Sequence, residues 1–316
     1  MSTVESIALI TDSASYISGL PNAANIHLKQ GEVIWNDMQC EDPPDGYARQ
    51  LFFQNAEVNE RTSGLIKNSK FNWADSLAEH SIEQDALFMF APHQDIFPQQ
   101  LEEMINAQVR QKTQYIEFFS RHKIKTGKLK TFIIKTESWF TGTGLIVWQC
   151  QHLLSKIETD KSVPLTQLKR YFEQITARTR TVSIMPCNQL NPWTRSQIIE
   201  ESMLSKLRGN MGRTKWISIE LGIDITEVSQ RDSLEVQVES QLKNVIEAIK
   251  AKKLAFPRIV ISCSDAQLAT LKSMASFTIF DALQSSHKFK WLHQPSSIMA
   301  QVLTGKDAVH ISYSVK

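Results

Sequence analysis

Along the first 160 residues, short runs of consecutive apolar residues alternate with longer stretches of helical periodicity. The runs are IALI (7–10), ALFMFA (86–91) and TFIIK (131–135), and RIVISC (258–263) repeats the pattern much later. Continuous apolarity without a period of two predicts strands covered on both faces. NIHLKQGEVIWND (25–37) predicts two edge strands around a turn at Gly31. Helices are predicted over 71–80, 98–122 and 142–156. Strands alternating with helices of this length imply βαβ units and a mainly parallel sheet.

The pattern changes after 158–165, where Asp160, Lys161, Ser162 and Pro164 mark a linker. The expected organisation is an N-terminal α/β domain over 1–160 and a C-terminal α/β domain over 161–316, in line with domains of about 150 residues. In the second part TVSIMP (181–186), KWISIELGIDITEVSQR (215–231) and HISYSV (310–315) alternate polar and apolar residues, which predicts a mixed sheet. LEVQVESQLKNVIEAIKAKK (234–253) is an amphipathic helix whose basic last turn suits the helix dipole. A strand at 258–263, a helix from Asp265 to about Ser276, a strand near 289–293, a helix from Pro295 and a last strand complete the order.

Composition narrows the picture only a little. With 42 % hydrophobic and 22 % charged residues, the 316-residue chain is ordinary for a globular protein. A net charge of +2 selects no partner, and KIKTGKLK (123–130) reads as a solvated turn leading into a strand, so no nucleic-acid stripe is expected. The four cysteines are isolated, and Cys150 and Cys263 read as buried free thiols. MSTVESIALITDS lacks the charged and apolar regions of a signal peptide. No apolar stretch approaches the ~18 residues of a membrane span, so no integral membrane segment and a cytoplasmic location are expected.

Chemistry-bearing residues gather just past the strands. Thr11-Asp12-Ser13 follows the first, His93-Gln94-Asp95 follows ALFMFAP and Thr136-Glu137-Ser138 follows TFIIK. Arg61-Thr62-Ser63-Gly64 precedes the 71–80 helix. Open parallel sheets bind ligands at the carboxyl ends of their strands. Capping and turn formation account for any one cluster, whereas three around one edge predict a shared crevice. Enzyme signatures are missing. Ser13 has no GxSxG elbow, and TGTG (141–144) lacks the lysine or later glycine of a phosphate-binding loop. There is no HExxH or paired Cys/His spacing for a metal, and helix capping explains Asp12 and Glu137 as well as a carboxylate pair does. The expectation is a protein with no catalytic residues, no metal and no cofactor.

IALITDSASYI resembles the opening strand and Asp-Ser signature of the DegV family, whose members include fatty-acid-binding subunits of bacterial fatty-acid kinases. Other landmarks follow in that family's order. Arg61-Thr62-Ser63 is similar to its Thr-Ser-Gln-Pro-Ser loop, and ALFMFA stands where the strand before its Ser-Gly-Thr motif belongs. TFIIKTESWFTGTGLIVWQCQHLL and LTQLKRYFEQITARTRTVSIM resemble its later strand, turn and helix and the opening of its second domain. The fold implied is α/β, a two-domain DegV-like fold with a mainly parallel N-terminal sheet and a mixed C-terminal sheet.

The resemblance implies an acyl chain buried between the domains, with its head group at the first sheet's carboxyl edge. About ten buried methylenes at ~0.8 kcal/mol each would supply about 8 kcal/mol. Leu145, Ile146, Trp148 and Leu153 on one helix would line a tunnel or equally well form an ordinary core. The resemblance puts Thr62 first as a head-group donor and Ser63 second, with Asp12 and Ser13 beside them. Arg231 resembles an arginine after the family's hairpin, and His293 resembles a C-terminal histidine, for which His310 is a competing match.

One departure stands out, because Ala91-Pro92-His93-Gln94-Asp95-Ile96-Phe97 replaces the serine-rich motif and puts Asp95 near the head-group serine. A lost hydrogen bond to a charged group costs ~1.5–3 kcal/mol, and two carboxylates about 4 Å apart repel by roughly 4 kcal/mol at an effective dielectric near 20. Asp95 is therefore protonated, turned away or faced by a ligand that is not a carboxylate, with His93 or Gln94 contacting the head group. Alternatively it caps the helix that Pro98 enters. The expected function is a non-catalytic, fatty-acid-like lipid-binding protein that presents its ligand to a partner kinase. The alternative is a degenerate regulatory or protein-interaction module that no longer binds fatty acid.

Overall fold

The computed structural model describes residues 6–18, 25–29, 31–35, 38–43, 45–49, 73, 77, 80, 84–93, 100–110, 130–157, 163–190, 216–222, 225–231 and 233–316. The first sheet comprises β1 (Ile7–Asp12), β2 (Ile26–Lys29), β5 (Ala86–Ala91) and β6 (Lys130–Lys135). Its order is β2-β1-β5-β6 and every pairing is parallel. β1 and β5 are the two central strands, and their continuous apolar runs are buried on both faces, as a doubly covered parallel sheet requires.

One face of this sheet carries Leu9, Phe88, Phe90 and Ile134, packed against α1 (Thr141–Ile157) and α2 (Leu165–Arg178) through Ile146, Val147, Cys150 and Phe172. The opposite face, with Ala8, Ile10, Leu87 and Met89, joins a second apolar cluster described below. The predicted helices over 71–80 and 98–122 are helical at every described position, namely 73, 77 and 80 and 100–110.

The second sheet has the order β11-β10-β12-β7-β8-β9. Its strands are β7 (Thr179–Pro186), β8 (Trp216–Leu221), β9 (Ile225–Arg231), β10 (Arg258–Ser262), β11 (Lys290–Gln294) and β12 (Val309–Ser314). β10 and β11 run parallel and the remaining pairs antiparallel, so the sheet is mixed. The alternation read in the sequence sorts its two faces. Val182, Ile184, Val309 and Ile311 pack on α3 (Leu234–Lys250), α4 (Asp265–Lys272) and α5 (Ala275–His287). Thr179, Thr181, Ser183, His310 and Ser312 are buried on the other face and bond to α1, the turn before it and α6 (Ile298–Thr304).

α1 thus lies between the two sheets. Its first turn is Thr141-Gly142-Thr143-Gly144, and both glycines permit close approach. A Cβ at Gly142 would overlap the hydroxyls of Thr181 and Ser138, and one at Gly144 would overlap the carbonyl oxygen of Ser15.

Two expectations need correction. The strands around Gly31 both exist, but they belong to different sheets. β2 is an edge of the parallel sheet, whereas β3 (Gly31–Trp35) forms an antiparallel hairpin with β4 (Met38–Asp42). The helix expected over 265–276 is broken at Met274, whose extended backbone begins α5. Leu271 and Phe277 would point about 120° apart on one continuous helix, and the break lets both enter the same core.

Candidate functional site

Parallel pairing brings the carboxyl ends of β1, β5 and β6 to one edge. Ile10 lies opposite Met89, and Ala91 opposite Lys135, so Asp12, His93 and the Thr136–Ser138 turn share that edge. The chain passes from β1 to β2 on one side and returns to β5 on the other. The β1/β5 boundary is therefore a topological switch point, where such sheets open a crevice.

At the end of β1, Asp12 caps a single 3-10 turn (Ser13–Ser15). Its Oδ1 accepts from the Ser15 amide at 2.9 Å and the Ser15 hydroxyl at 3.0 Å. The Ser13 hydroxyl oxygen accepts from Gly31 N–H at 2.9 Å, and its carbonyl accepts from Arg49 at 2.6 Å. Arg49 is itself buried, donates to the Pro43 carbonyl at 2.7 Å and lies 3.5 Å from the Asp42 carboxylate. Asp42 accepts from the amides of Ile298 at 3.0 Å and Met299 at 3.4 Å, at the start of α6. A buried group of two carboxylates and one guanidinium therefore ties β1, the β3–β4 hairpin and α6 together.

Burial pushes the Asp12 carboxyl up to about 6, and the nearby Asp42 charge adds to the shift against the bonds from Ser15. Burial also raises Asp42, opposed by Arg49, and lowers Arg49, opposed by Asp42. Asp12 binds its proton more tightly folded than unfolded. Its contribution is therefore most favourable below pH ~3.9 and falls until pH passes about 6. A shift from 3.8 to about 6 corresponds to about 3 kcal/mol. Asp12→Asn keeps the acceptor for Ser15, so the variant should gain stability relative to the parent as pH rises from 4 to 6. Urea unfolding at several pH values reads this difference, and a constant difference would refute the assignment.

The turn after β6 is held from several sides. The amide and hydroxyl of Thr136 both donate to the Ala91 carbonyl at 2.9 Å, and the amide of His93 donates to the Ser138 carbonyl at 2.7 Å. Within this turn Glu137 and Phe140 have φ of 48° and 45°, left-handed values that non-glycine residues adopt at a cost. Buried His93 places Nε2 3.7 Å from the Glu137 carboxylate. Trp139 and Phe140 stack with ring centroids 4.8 Å apart and meet the ring of His310 edge-on.

The Trp139 and Phe140 rings belong to an apolar cluster fed by both sheets. Ile10 and Met89 enter from the first, Met185 and Ile219 from the second, and Met299 and Leu303 from α6.

The structure brings Asp12, Ser13 and His93 to the same edge, beside Glu137 and Ser138. Thr62, Ser63, Gln94 and Asp95 lie outside the described residues. Arg231 ends β9, opposite Trp216, and His293 lies on β11 with Nε2 3.0 Å from the Cys263 carbonyl. β9 and β11 are opposite edges of a six-stranded sheet, roughly 24 Å apart at ~4.8 Å per strand, so these two residues are not brought together. His310 is the histidine that touches the aromatic turn. Sequence reasoning missed Asp42, Arg49, Trp139, Ser183 and Thr304. A usable signal existed in TRTVSIMP and VHISYS, where small hydroxyl residues alternate with apolar ones. Cys150 and Cys263 are buried free thiols, both with raised pKa through burial. Among the described residues no group of three metal-ligating side chains occurs, and no described helix is long and apolar enough to cross a membrane.

No protein-family model matches the chain, and no curated protein matches it by sequence. Solved structures do match it by shape. A stearic acid-binding protein from Eubacterium ventriosum is 12 % identical, with 98 % of each chain covered and a TM-score of 0.69. DegV from Bacillus subtilis, described as a fatty acid binding protein, is 11 % identical, with 98 % of this chain and 99 % of its own covered and a TM-score of 0.67. The fatty acid kinase B3 protein of Streptococcus pneumoniae, loaded with linoleic acid, is 11 % identical, with 98 % of this chain and all of its own covered and a TM-score of 0.61. The likeness extends over nearly the whole chain, which has the two-domain α/β fold of the DegV proteins.

Proposed function

We propose that the protein is a non-catalytic carrier of a fatty-acid-like lipid. The acyl chain is buried in the apolar cluster between the sheets and the polar end sits at the carboxyl edge of the parallel sheet. The observation that carries this reading is the meeting of the two features: the cluster containing Ile10, Met89, Ile219 and Met299 reaches the turn that holds Trp139 and Phe140. The proteins of like fold that contain stearic or linoleic acid support the choice of ligand class.

In this reading His93, Asp12 and Ser13 border the polar end, joined by Thr62, Ser63 and Asp95, which the family resemblance assigns there. Arg231 and His293 stand too far apart on their sheet for both to touch one head group. The occurrence of the fold in a fatty acid kinase protein supports presentation of the ligand to a partner kinase inside the cell. Tail burial at ~0.8 kcal/mol per methylene makes the chain, more than the head group, the main source of affinity.

The test is mass spectrometry of material extracted from freshly purified, denatured protein. A fatty acid or related lipid at near one equivalent is expected. Protein that carries no lipid as purified, and takes up neither stearic nor linoleic acid on incubation, would remove the proposal.

A further inference from the structure

His310 is fully buried in β12, opposite Ser183 of β7. The hydrogen bonds around it run in one direction. The indole N–H of Trp139 only donates, and it donates to the Ser183 hydroxyl at 2.9 Å. The Ser183 hydroxyl therefore has its proton available for His310 Nδ1, 2.8 Å away. On the other side, the Thr304 hydroxyl donates to the Ala300 carbonyl at 2.6 Å. Its oxygen is then the acceptor for His310 Nε2 at 3.2 Å. Both nitrogens are satisfied only if Nδ1 is bare and Nε2 carries the proton. Burial alone lowers the His310 pKa to about 3, which agrees with a neutral ring.

The chain of donors runs from Trp139 through Ser183 to His310, and from His310 through Thr304 to α6. It links the turn after β6, the second sheet and the helix that supplies Met299 and Leu303 to the apolar cluster. The rings reinforce the link, with His310 meeting Trp139 at 87° and Phe140 at 65°.

We propose that His310 is a positioning residue. As a neutral imidazole protonated on Nε2, it orients Ser183 and through it fixes the indole of Trp139 as the wall met by the ligand near its polar end. The ligand half of this statement rests on the carrier reading above; the histidine half does not. Once fixed, Trp139 sets how far a head group enters, because its indole N–H is engaged by Ser183 and is not offered to a ligand.

The two halves are tested separately. Nitrogen-15 NMR of the whole protein should show the Nε2–H tautomer for His310 and no titration between about pH 5 and 8. The opposite tautomer, or titration in that range, would overturn the assignment. His310→Gln retains only a donor toward Thr304, and His310→Asn retains only an acceptor toward Ser183. The Trp139 indole N–H resonance should move in His310→Gln and in Ser183→Ala but stay near its original place in His310→Asn. Equal displacement by Asn and Gln would show general loosening and refute positioning. If His310→Gln does not fold, His310→Leu, which likewise offers Ser183 no acceptor, is compared with His310→Asn in its place. Stearic acid binding should weaken about tenfold in Ser183→Ala, the loss of roughly one buried hydrogen bond. Unchanged affinity with a shifted indole would refute the ligand half, whereas failure of the parent protein to bind lipid would refute the carrier reading and leave the NMR result standing.

Discussion

Asp42→Ala is expected to destabilise the fold by about 3–5 kcal/mol, the usual cost of removing one partner of a buried ion pair. The carboxylate does two jobs at once. It balances the buried Arg49 guanidinium and accepts two amide protons at the start of α6. Alanine removes the strongest opposite charge facing the guanidinium, which keeps the carbonyl oxygens of Pro43 and Ser13 and the more weakly coupled Asp12 carboxyl, and leaves α6 without that acceptor. The free energy of unfolding in urea measures the loss. A double variant, Asp42→Ala with Arg49→Met, should recover part of it, because the orphaned charge is gone. A single-variant loss below about 1 kcal/mol would show that the pair is not the fastening described here.

Gly144→Ala is the second large effect, and its sign is the informative part. In an exposed helix the exchange stabilises by about 1 kcal/mol. In α1 the new methyl group would overlap the Ser15 carbonyl oxygen and press on the side chain of Ile17. The first of these is backbone in the turn capped by Asp12, so little can yield. The expected outcome is a loss of about 1–3 kcal/mol, typical of overpacking, with thermal unfolding as the measure. A stabilised variant would mean that α1 does not approach the end of β1 as closely as described.

Both effects fall on contacts between segments far apart in the chain, and that separates what could be read from what could not. β1, β5 and β10 are legible because burial on both faces writes a continuous apolar run, and β6 carries a similar run at a half-buried edge. The polar clusters after β1, β5 and β6 are legible as an edge because parallel strands place their carboxyl ends together. The segment 25–37 shows the limit. Its strands follow from local alternation, but the partner of each does not, since pairing depends on which edge is free. Asp42 had no signal at all. MQCED carries no clear period, and a buried acid is recognisable only once Arg49 and the α6 amides surround it. In sequence His293 is the candidate and His310 a competing match, and only packing distinguishes the one against Trp139 from the one beside the Cys263 carbonyl.

By itself, then, the sequence determined the α/β class and most of the elements in their order, because these follow from the spacing of apolar residues over a few turns or strand lengths, though not β4 or the break between α4 and α5. It also determined that the first sheet has a polar carboxyl edge. The tertiary structure alone decided which polar residues bond one another and which stay beside the apolar cluster. Ser183 and His310 are separated by 127 positions, and Asp42 and Ile298 by 256. No local pattern encodes such contacts, because the residues meet only after two sheets have folded and closed on the helix between them.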